Sequence, residues 1–263
     1  MTRIEIFPKT LYKYRDWDIL NHKKLLVEQE LYFPSASKFN DPFEGAIPFE
    51  YDPKELTPEN IFLKMYSLEK ELYPDKPDEE IHKFIYAAQQ KNLLFDPVHR
   101  EYVNDEIKKQ VEEEFGIFSL TTQRNNFLMW SHYSNSHKGF CIGFDTQMLY
   151  DSLDCALGKV DYQNTIPKFK LNEAIQEFAK KLIGTKGNFW SYEEEYRFVS
   201  QGKSNFSIIV PIDTIVEVIL GCRMNEKSKD EIIDFISNQI PECHIYEAIQ
   251  STEYIEIKTQ RIR

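Results

Sequence analysis

Three short stretches of the sequence combine residue types that can do chemistry. The densest is Phe118-Ser119-Leu120-Thr121-Thr122, followed closely by Trp130, His132, Tyr133, His137 and Lys138. In a strand, alternate side chains share a face, so Ser119 and Thr121 point together and can line a cleft while Phe118 and Leu120 turn into packing. Trp130 and Tyr133 offer flat surfaces on which a planar ring can stack. His132 and His137 are five positions apart, a poor spacing for two ligands on one helical face, and the chain has no HxH or HExxH pattern, which argues against a metal site. The same residues also fit a core-edge loop in which Trp130 packs and the histidines are simply exposed.

The second stretch is Trp190-Ser191-Tyr192-Glu193-Glu194-Glu195-Tyr196-Arg197-Phe198. Read as a strand, it puts Glu193, Glu195 and Arg197 on one face and Glu194 and Tyr196 on the other. Two carboxylates so close repel, which raises the proton affinity of one of them unless a cation neutralises the pair, and Arg197 stands where it can do so. A carboxylate held in this way beside an electron-poor sugar can stabilise an oxocarbenium-like centre or orient a ribose hydroxyl. The competing reading is a solvated edge carrying an exposed ion pair of little energetic consequence. The third stretch, Lys13-Tyr14-Arg15, sets cations beside an aromatic ring and can grip phosphate or carboxylate oxygens, although short basic runs at strand ends are common on surfaces.

Other chemistries lack their motifs. There is no GxGxxG, no GxxxxGK[ST] and no GxSxG, which disfavours dinucleotide oxidoreductases, nucleoside-triphosphate hydrolases and serine hydrolases. Cys141, Cys155, Cys222 and Cys243 form no CxxC pair and read as reduced, mostly packed thiols.

The elements that must position these residues follow from hydrophobic period and punctuation. Thr10 to Arg15 and ELYFPS read as strands, with Asp18 capping a helix through Leu25 and Leu26 between them. SKFNDPFEG is a turn-rich loop whose Asn40-Asp41-Pro42 core bonds back to its own main chain. Three helices follow by spacing: Ile61, Met65, Leu68 and Leu72; then Ile81, Phe84, Ile85 and Ala88; then Val103, Ile107 and Val111. From Gly116 the period falls to two, with GIFSLTT and KGFCIGFD as strands joined by the polar, aromatic-rich NNFLMWSHYSNSH. A helix through Leu171, Ile175, Phe178 and Leu182, strands FSIIVPI and IVEVILG, a helix near Lys229 to Ile236, and strands CHIYEAI and YIEIKT complete the chain. The expected fold class is α+β, a single domain over 1–263 with a mixed, mostly antiparallel sheet and an all-helical acidic insertion over 52–115.

Composition sets outer limits. With 263 residues, 41% apolar and 29% charged, the chain can bury a full core and is not intrinsically disordered. Its net charge is −11, which argues against a partner held by a general basic surface. Most of that charge is local, since residues 51–115 carry 9 basic and 16 acidic side chains, so a phosphate-binding pocket elsewhere remains compatible with it. The start, MTRIEIFPKT, lacks the uninterrupted apolar stretch of a secretory signal and no run is long enough to span a membrane, so a cytoplasmic protein without membrane partners is expected.

Taken together, LYKYR, LYFPSASKFNDPFEG, MWSHYSNSHKGFCIGFD, WSYEEEYRFV and IVEVILGCR resemble the bacterial domain-of-unknown-function 2971 family over most of the chain. More distantly, the order of parts is similar to the ADP-ribosyltransferase superfamily. In that superfamily a first strand carries Arg or His, a second an STS-type motif, and a third opens on ExE or QxE whose last Glu is catalytic. The matching positions are the Lys13 to Arg15 strand, Ser119-Leu120-Thr121 and Glu193-Glu194-Glu195. SLT stands for STS, either Lys13 or Arg15 is the first-strand cation, and a long helical insert separates the first two motifs. The resemblance implies an ADP-ribosyltransferase-like sheet and NAD as substrate. Glu195 would bond the nicotinamide-ribose hydroxyl, Ser119 would brace Glu195 or the ribose, and Glu193 would orient the acceptor. Lys13 or Arg15 would hold adenine ribose or pyrophosphate, Trp130 or Tyr133 would stack nicotinamide, and Tyr14, Thr121, His132 and Arg197 complete the expected nucleotide-binding set. The expected function is an NAD-consuming transferase or glycohydrolase acting on a protein or nucleic-acid acceptor, in the setting of a toxin or phage-defence effector. Two alternatives stand beside it. One is a catalytically inert nucleotide or nucleic-acid binding module in which Lys13, Arg15, Lys138 and Arg197 contact phosphates and Trp130 stacks a base; the other is a metal-dependent nuclease using Glu193, Glu195 and Lys186.

Overall fold

The computed structural model describes residues 7–44, 50–91 and 96–263. In chain order its strands are β1 (Thr10–Arg15), β2 (Glu30–Phe33), β3 (Phe115–Thr121), β4 (Phe140–Asp145), β5 (Ala156–Lys159), β6 (Asp161–Gln163), β7 (Thr185–Gly187), β8 (Glu195–Gln201), β9 (Phe206–Ile209), β10 (Ile215–Leu220), β11 (His244–Gln250) and β12 (Ile257–Arg261). The helices are α1 (Leu20–Val27), α2 (Pro58–Leu72), α3 (Asp78–Gln90), α4 (Pro97–Glu114), α5 (Phe127–Tyr133), α6 (Thr146–Asp151), α7 (Ile175–Ile183) and α8 (Glu226–Gln239). Eight strands form one sheet in the order β12-β11-β10-β4-β1-β3-β8-β5. Within it only β10 and β11 run parallel, and α8 supplies the crossover that a parallel pair needs. The class is therefore mixed, with a mostly antiparallel sheet.

Side-chain alternation sorts the core onto two faces. Leu11, Phe118, Leu120, Ile142, Phe144 and Val218 pack on one side with Leu25 and Leu26 of α1 and Ile232 and Ile236 of α8. Tyr12, Tyr14, Cys141 and Ile219 pack on the other with Met129 and Trp130 of α5. Burial of each such aliphatic or phenyl side chain is worth about 1.5–3 kcal/mol.

The sheet opens at its centre. β1 follows β4 residue by residue from Thr10↔Asp145 to Arg15↔Phe140, but meets β3 only at Tyr12↔Thr121. Beyond that point the strands part, and the Ile117 amide donates instead to Pro34 O at 2.9 Å. On the other flank of β1, the turn before β4 lies against the end of β1. A Cβ on Gly139 would stand 2.1 Å from Arg15 O, so only glycine lets the two backbones approach this closely.

The three expected helices of the acidic segment form, with Pro58 at the start of α2 behind a Thr57 cap. Their burial is uneven. Ile81, Ile85 and Ala88 of α3 and Ile107 and Val111 of α4 are buried, whereas α2 buries none of its residues fully and Phe84 is exposed. The side chains of Val103 and Ile175, residues 1–6 of the N-terminal stretch and Gly45 of the turn-rich loop lie outside the described residues. Three local expectations are corrected. Ile19, not Asp18, precedes α1, and no side chain caps that helix. Leu171 is buried ahead of α7 rather than within it, and the last strand begins at Ile257 rather than Tyr254. No helix among the described residues is long and apolar enough to cross a membrane.

Candidate active site

A cavity of about 380 Å³ occupies the gap between β1 and β3, within the size range of ligand pockets. Lys13, Tyr14 and Arg15 of β1, Ser119 and Thr121 of β3, His132 and Tyr133 of α5, and Glu193 and Glu195 all line it, together with Lys186, Phe39 and Asn40. Stretches more than a hundred residues apart thus meet at one hollow. A second hollow of about 550 Å³ lies beside β5, lined by Leu157, Lys159, Lys180 and the far side of Arg197. It holds none of the other candidate site residues read from the sequence.

On the β1 side the cavity is cationic. Lys13 and Arg15 are half-buried, and neither forms an ion pair among the described residues. Lys13 Nζ donates to Ser119 O and stands 5.0 Å from the Phe118 ring centre. Arg15 Nη1 donates weakly to Tyr14 O at 3.3 Å. Desolvation, with the charge of Arg15 adding to it, pushes Lys13 well below the ordinary lysine range, and burial lowers Arg15 to about 10. Ser119 Oγ is buried without a hydrogen-bond partner among the described residues. Two desolvated cations that form no ion pair among the described residues have the chemistry to receive an anion.

On the β8 side the charges are already paired within the protein. Glu193 (3% exposed), Glu195 (4%) and Arg197 (2%) are buried, so this is not a solvated edge. Nor do the three ride one strand. Glu193 ends a 3₁₀ turn over Asn188–Glu193, Glu194 takes a left-handed backbone with φ of 43°, and β8 opens at Glu195. That turn brings Glu193 round to the face of Glu195. It is held by Thr121 Oγ1 donating to Glu193 O and by the Thr122 hydroxyl bonding the Glu194 carboxylate. Arg197 donates from Nε to Glu195 Oε1 at 2.8 Å and from Nη2 to Glu195 Oε2 at 3.0 Å. Lys186 of β7 donates to Glu193 Oε2 at 2.6 Å and Glu195 Oε2 at 3.1 Å. The Tyr133 hydroxyl donates to Glu193 Oε1 at 2.6 Å, and the Glu195 amide donates to Tyr162 of β6 at 2.8 Å. Burial opposes ionisation of Glu195, but Arg197 and Lys186 outweigh it and hold the carboxyl at about 2. In Glu193 burial wins over Lys186, with the Glu195 charge adding to it, and the carboxyl lies above the usual range. The pair is thus an anion that stays ionised beside a carboxyl able to exchange a proton.

Two expected ligand contacts are corrected. Trp130 is fully buried, crosses Tyr14 edge to face at 4.9 Å and does not line the cavity; a large apolar ring on the inward face of α5 is claimed by the core. Arg197 is likewise withdrawn behind Glu195, its donors taken by Glu195, Glu44 and Ile183 O. Thr121 lines the cavity with its hydroxyl already bonded within the protein, and exposed His132 contacts the Tyr192 hydroxyl at 3.0 Å. Glu44, buried against Arg197, and Tyr162 escaped the sequence reading. Among the described residues no group of three or more His, Cys, Asp or Glu side chains is arranged to hold a metal ion.

Residues 129–198 match the model of the family described as protein of unknown function (DUF2971). That span contains His132, Tyr133, Lys186, Glu193, Glu195 and Arg197, while Lys13, Arg15, Glu44 and Ser119 precede it. No curated protein and no solved structure matches the chain.

Proposed function

We propose that this chain, a DUF2971 protein by its segment 129–198, is an NAD-consuming enzyme of ADP-ribosyltransferase or glycohydrolase type. One observation carries the reading. A single cavity sets two cations without carboxylate partners, Lys13 and Arg15, beside a buried carboxylate kept ionised, Glu195. A molecule that satisfies both sides carries phosphate at one end and hydroxyls around a carbon that becomes cationic at the other.

In this reading the pyrophosphate rests on Lys13 and Arg15 and the nicotinamide ribose lies toward Glu195. The bond between ribose C1′ and the nicotinamide nitrogen breaks, its electron pair leaving with nicotinamide, and the charge at C1′ is stabilised by Glu195. Water or an acceptor hydroxyl then adds to C1′, and its proton passes to Glu193, whose raised proton affinity suits it to the task. Tyr133, kept protonated by burial and by the Glu193 charge, fixes the Glu193 carboxyl and offers the aromatic surface that Trp130 does not. The setting of a toxin or phage-defence effector accords with an activity that depletes NAD.

The test is nicotinamide release from NAD by the purified protein, measured chromatographically with water, protein or nucleic acid as acceptor. Glu195→Gln is expected to lower the rate at least about 100-fold with the circular dichroism spectrum unchanged. Absence of release with every acceptor contradicts the reading. A second reading, an inert nucleotide-binding module, draws on one feature. Glu195 already accepts three hydrogen bonds, which leaves about one lone-pair site for a substrate hydroxyl. Binding of NAD without turnover selects that alternative.

A further inference from the structure

The loop ahead of the helical segment runs from a 3₁₀ turn at Ala36–Lys38 to Glu44. Lys38, Phe39 and Asn40 on this loop line the cavity. The Asp41 carboxylate accepts from the Phe43 amide at 2.9 Å and Asp41 O from the Glu44 amide at 3.0 Å, and this turn delivers Glu44 inward. Its side chain is 1% exposed and pairs with Arg197 Nη2, while Glu44 Oε2 has no hydrogen bond and lies 3.9 Å from Lys186 Nζ. The Phe39 ring centre stands 5.7 Å from the same guanidinium.

We propose that Glu44 is a positioning residue: acting through Arg197 and Lys186, it raises the proton affinity of Glu193 and latches the rim loop of the cavity to its carboxylate wall. The argument is one of charge. Within the ion-paired cluster Glu193, Glu195, Lys186 and Arg197 balance to neutrality and Glu44 is a third carboxylate to two cations, with Lys13 acting only from across the cavity, and an unbalanced buried charge is costly. Glutamine would fill the same space and keep a hydrogen bond to Arg197 without that cost. What the charge adds is competition for the two cations. Arg197 spans both Glu44 and Glu195, as a planar fork can and an ammonium cannot, and Lys186 is shared among all three carboxylates. Divided in this way, the cations neutralise Glu193 incompletely and its affinity for a proton is raised. The groups facing Glu44 are Arg197 and Glu195 from β8, Lys186 from β7 and Asp41 from its own loop. Those facing Glu193 are Lys186, Glu195 and Tyr133, with Lys13 of β1 across the cavity, Tyr162 of β6, and Tyr192 of its own turn beside it. The catalytic consequence rests on the proposed function; the charge coupling does not.

The experiment is a pH titration of the glutamate side-chain carboxyls by ¹³C NMR in labelled protein, with Glu193 assigned through Glu193→Gln. In wild type, Glu44 and Glu193 are expected to titrate above the ordinary carboxylate range in two-step curves, because each responds to the other. In Glu44→Gln the Glu193 midpoint is expected to fall by about one pH unit, the thermal unfolding midpoint to stay at or above that of wild type, and the acid limb of nicotinamide release to move down with Glu193. Single-step, independent curves in wild type overturn the proposal even if the variant does not fold. An unmoved Glu193 midpoint in folded Glu44→Gln overturns it as well, since a merely structural residue changes stability and leaves that midpoint in place. If wild type releases no nicotinamide, the proposed function fails while the coupling is still decided by the titration curves.

Discussion

On the β8 side of the cavity Glu195 has both oxygens engaged by Arg197 and Lys186, whereas on the β1 side Lys13 and Arg15 hydrogen-bond only to backbone carbonyls among the described residues. Both sides pay the cost of burying charge, but only the first recovers it within the protein. In the proposed function, the difference marks where a ligand supplies the missing partner. It also separates the groups that hold the fold together from those that hold something else.

Breaking the matched side should have the largest effect. Arg197→Met leaves Glu44, Glu193 and Glu195 facing Lys186 alone, and urea denaturation at neutral pH is expected to show a loss of about 3–5 kcal/mol. The contribution of Glu195 to the pH dependence should reverse as well. In wild type the depressed Glu195 carboxyl contributes stability that is present above its unfolded value near 4.3 and is lost as pH falls toward about 2. Without Arg197, burial raises that carboxyl above its unfolded value, so the variant should gain stability as pH falls from neutral toward that value. A variant whose Glu195 carboxyl still titrates below its unfolded value would contradict the assignment.

Removing a cation on the unmatched side should do the opposite. Lys13→Met is expected to leave folding stability unchanged or slightly raised, while the affinity for ADP-ribose measured by calorimetry falls about 10–100-fold, the worth of one charged hydrogen bond. Because Lys13 is depressed below the ordinary lysine range, wild-type affinity should already fall on the alkaline side as this group loses its proton, and Lys13→Met should lack that limb. A loss of stability comparable to that of Arg197→Met would erase the distinction between the two sides. The smallest effect on the ligand belongs to a residue on neither side. Trp130→Phe should cost about 1–2 kcal/mol of stability through lost packing and change ADP-ribose affinity less than twofold.

The sequence carried the order of the three motif stretches and the strands that bear them, because period-two alternation in TLYKYR and GIFSLT fixes faces without reference to distant partners. It did not carry the turn at Glu193. A left-handed Glu194 is set by Thr121 and Thr122 on a neighbouring strand, and no local propensity of an EEE run announces it. Glu44 was hidden for another reason: the Asn40-Asp41-Pro42 turn accounted for its loop completely, and that turn is what aims Glu44 inward. Trp130 stayed open between two readings, because a ring that stacks a ligand and a ring that fills a core are the same residue until burial is known. The short strands β5, β6 and β7 went unseen because three or four residues give too little pattern, yet β7 delivers Lys186.

The most direct test of the account is a crystal structure of the protein with ADP-ribose. The phosphates are expected within hydrogen-bonding distance of Lys13 and Arg15, and the terminal ribose against Glu193 and Glu195. Phosphates seated in the hollow beside β5, or a ribose turned away from both carboxylates, would contradict it.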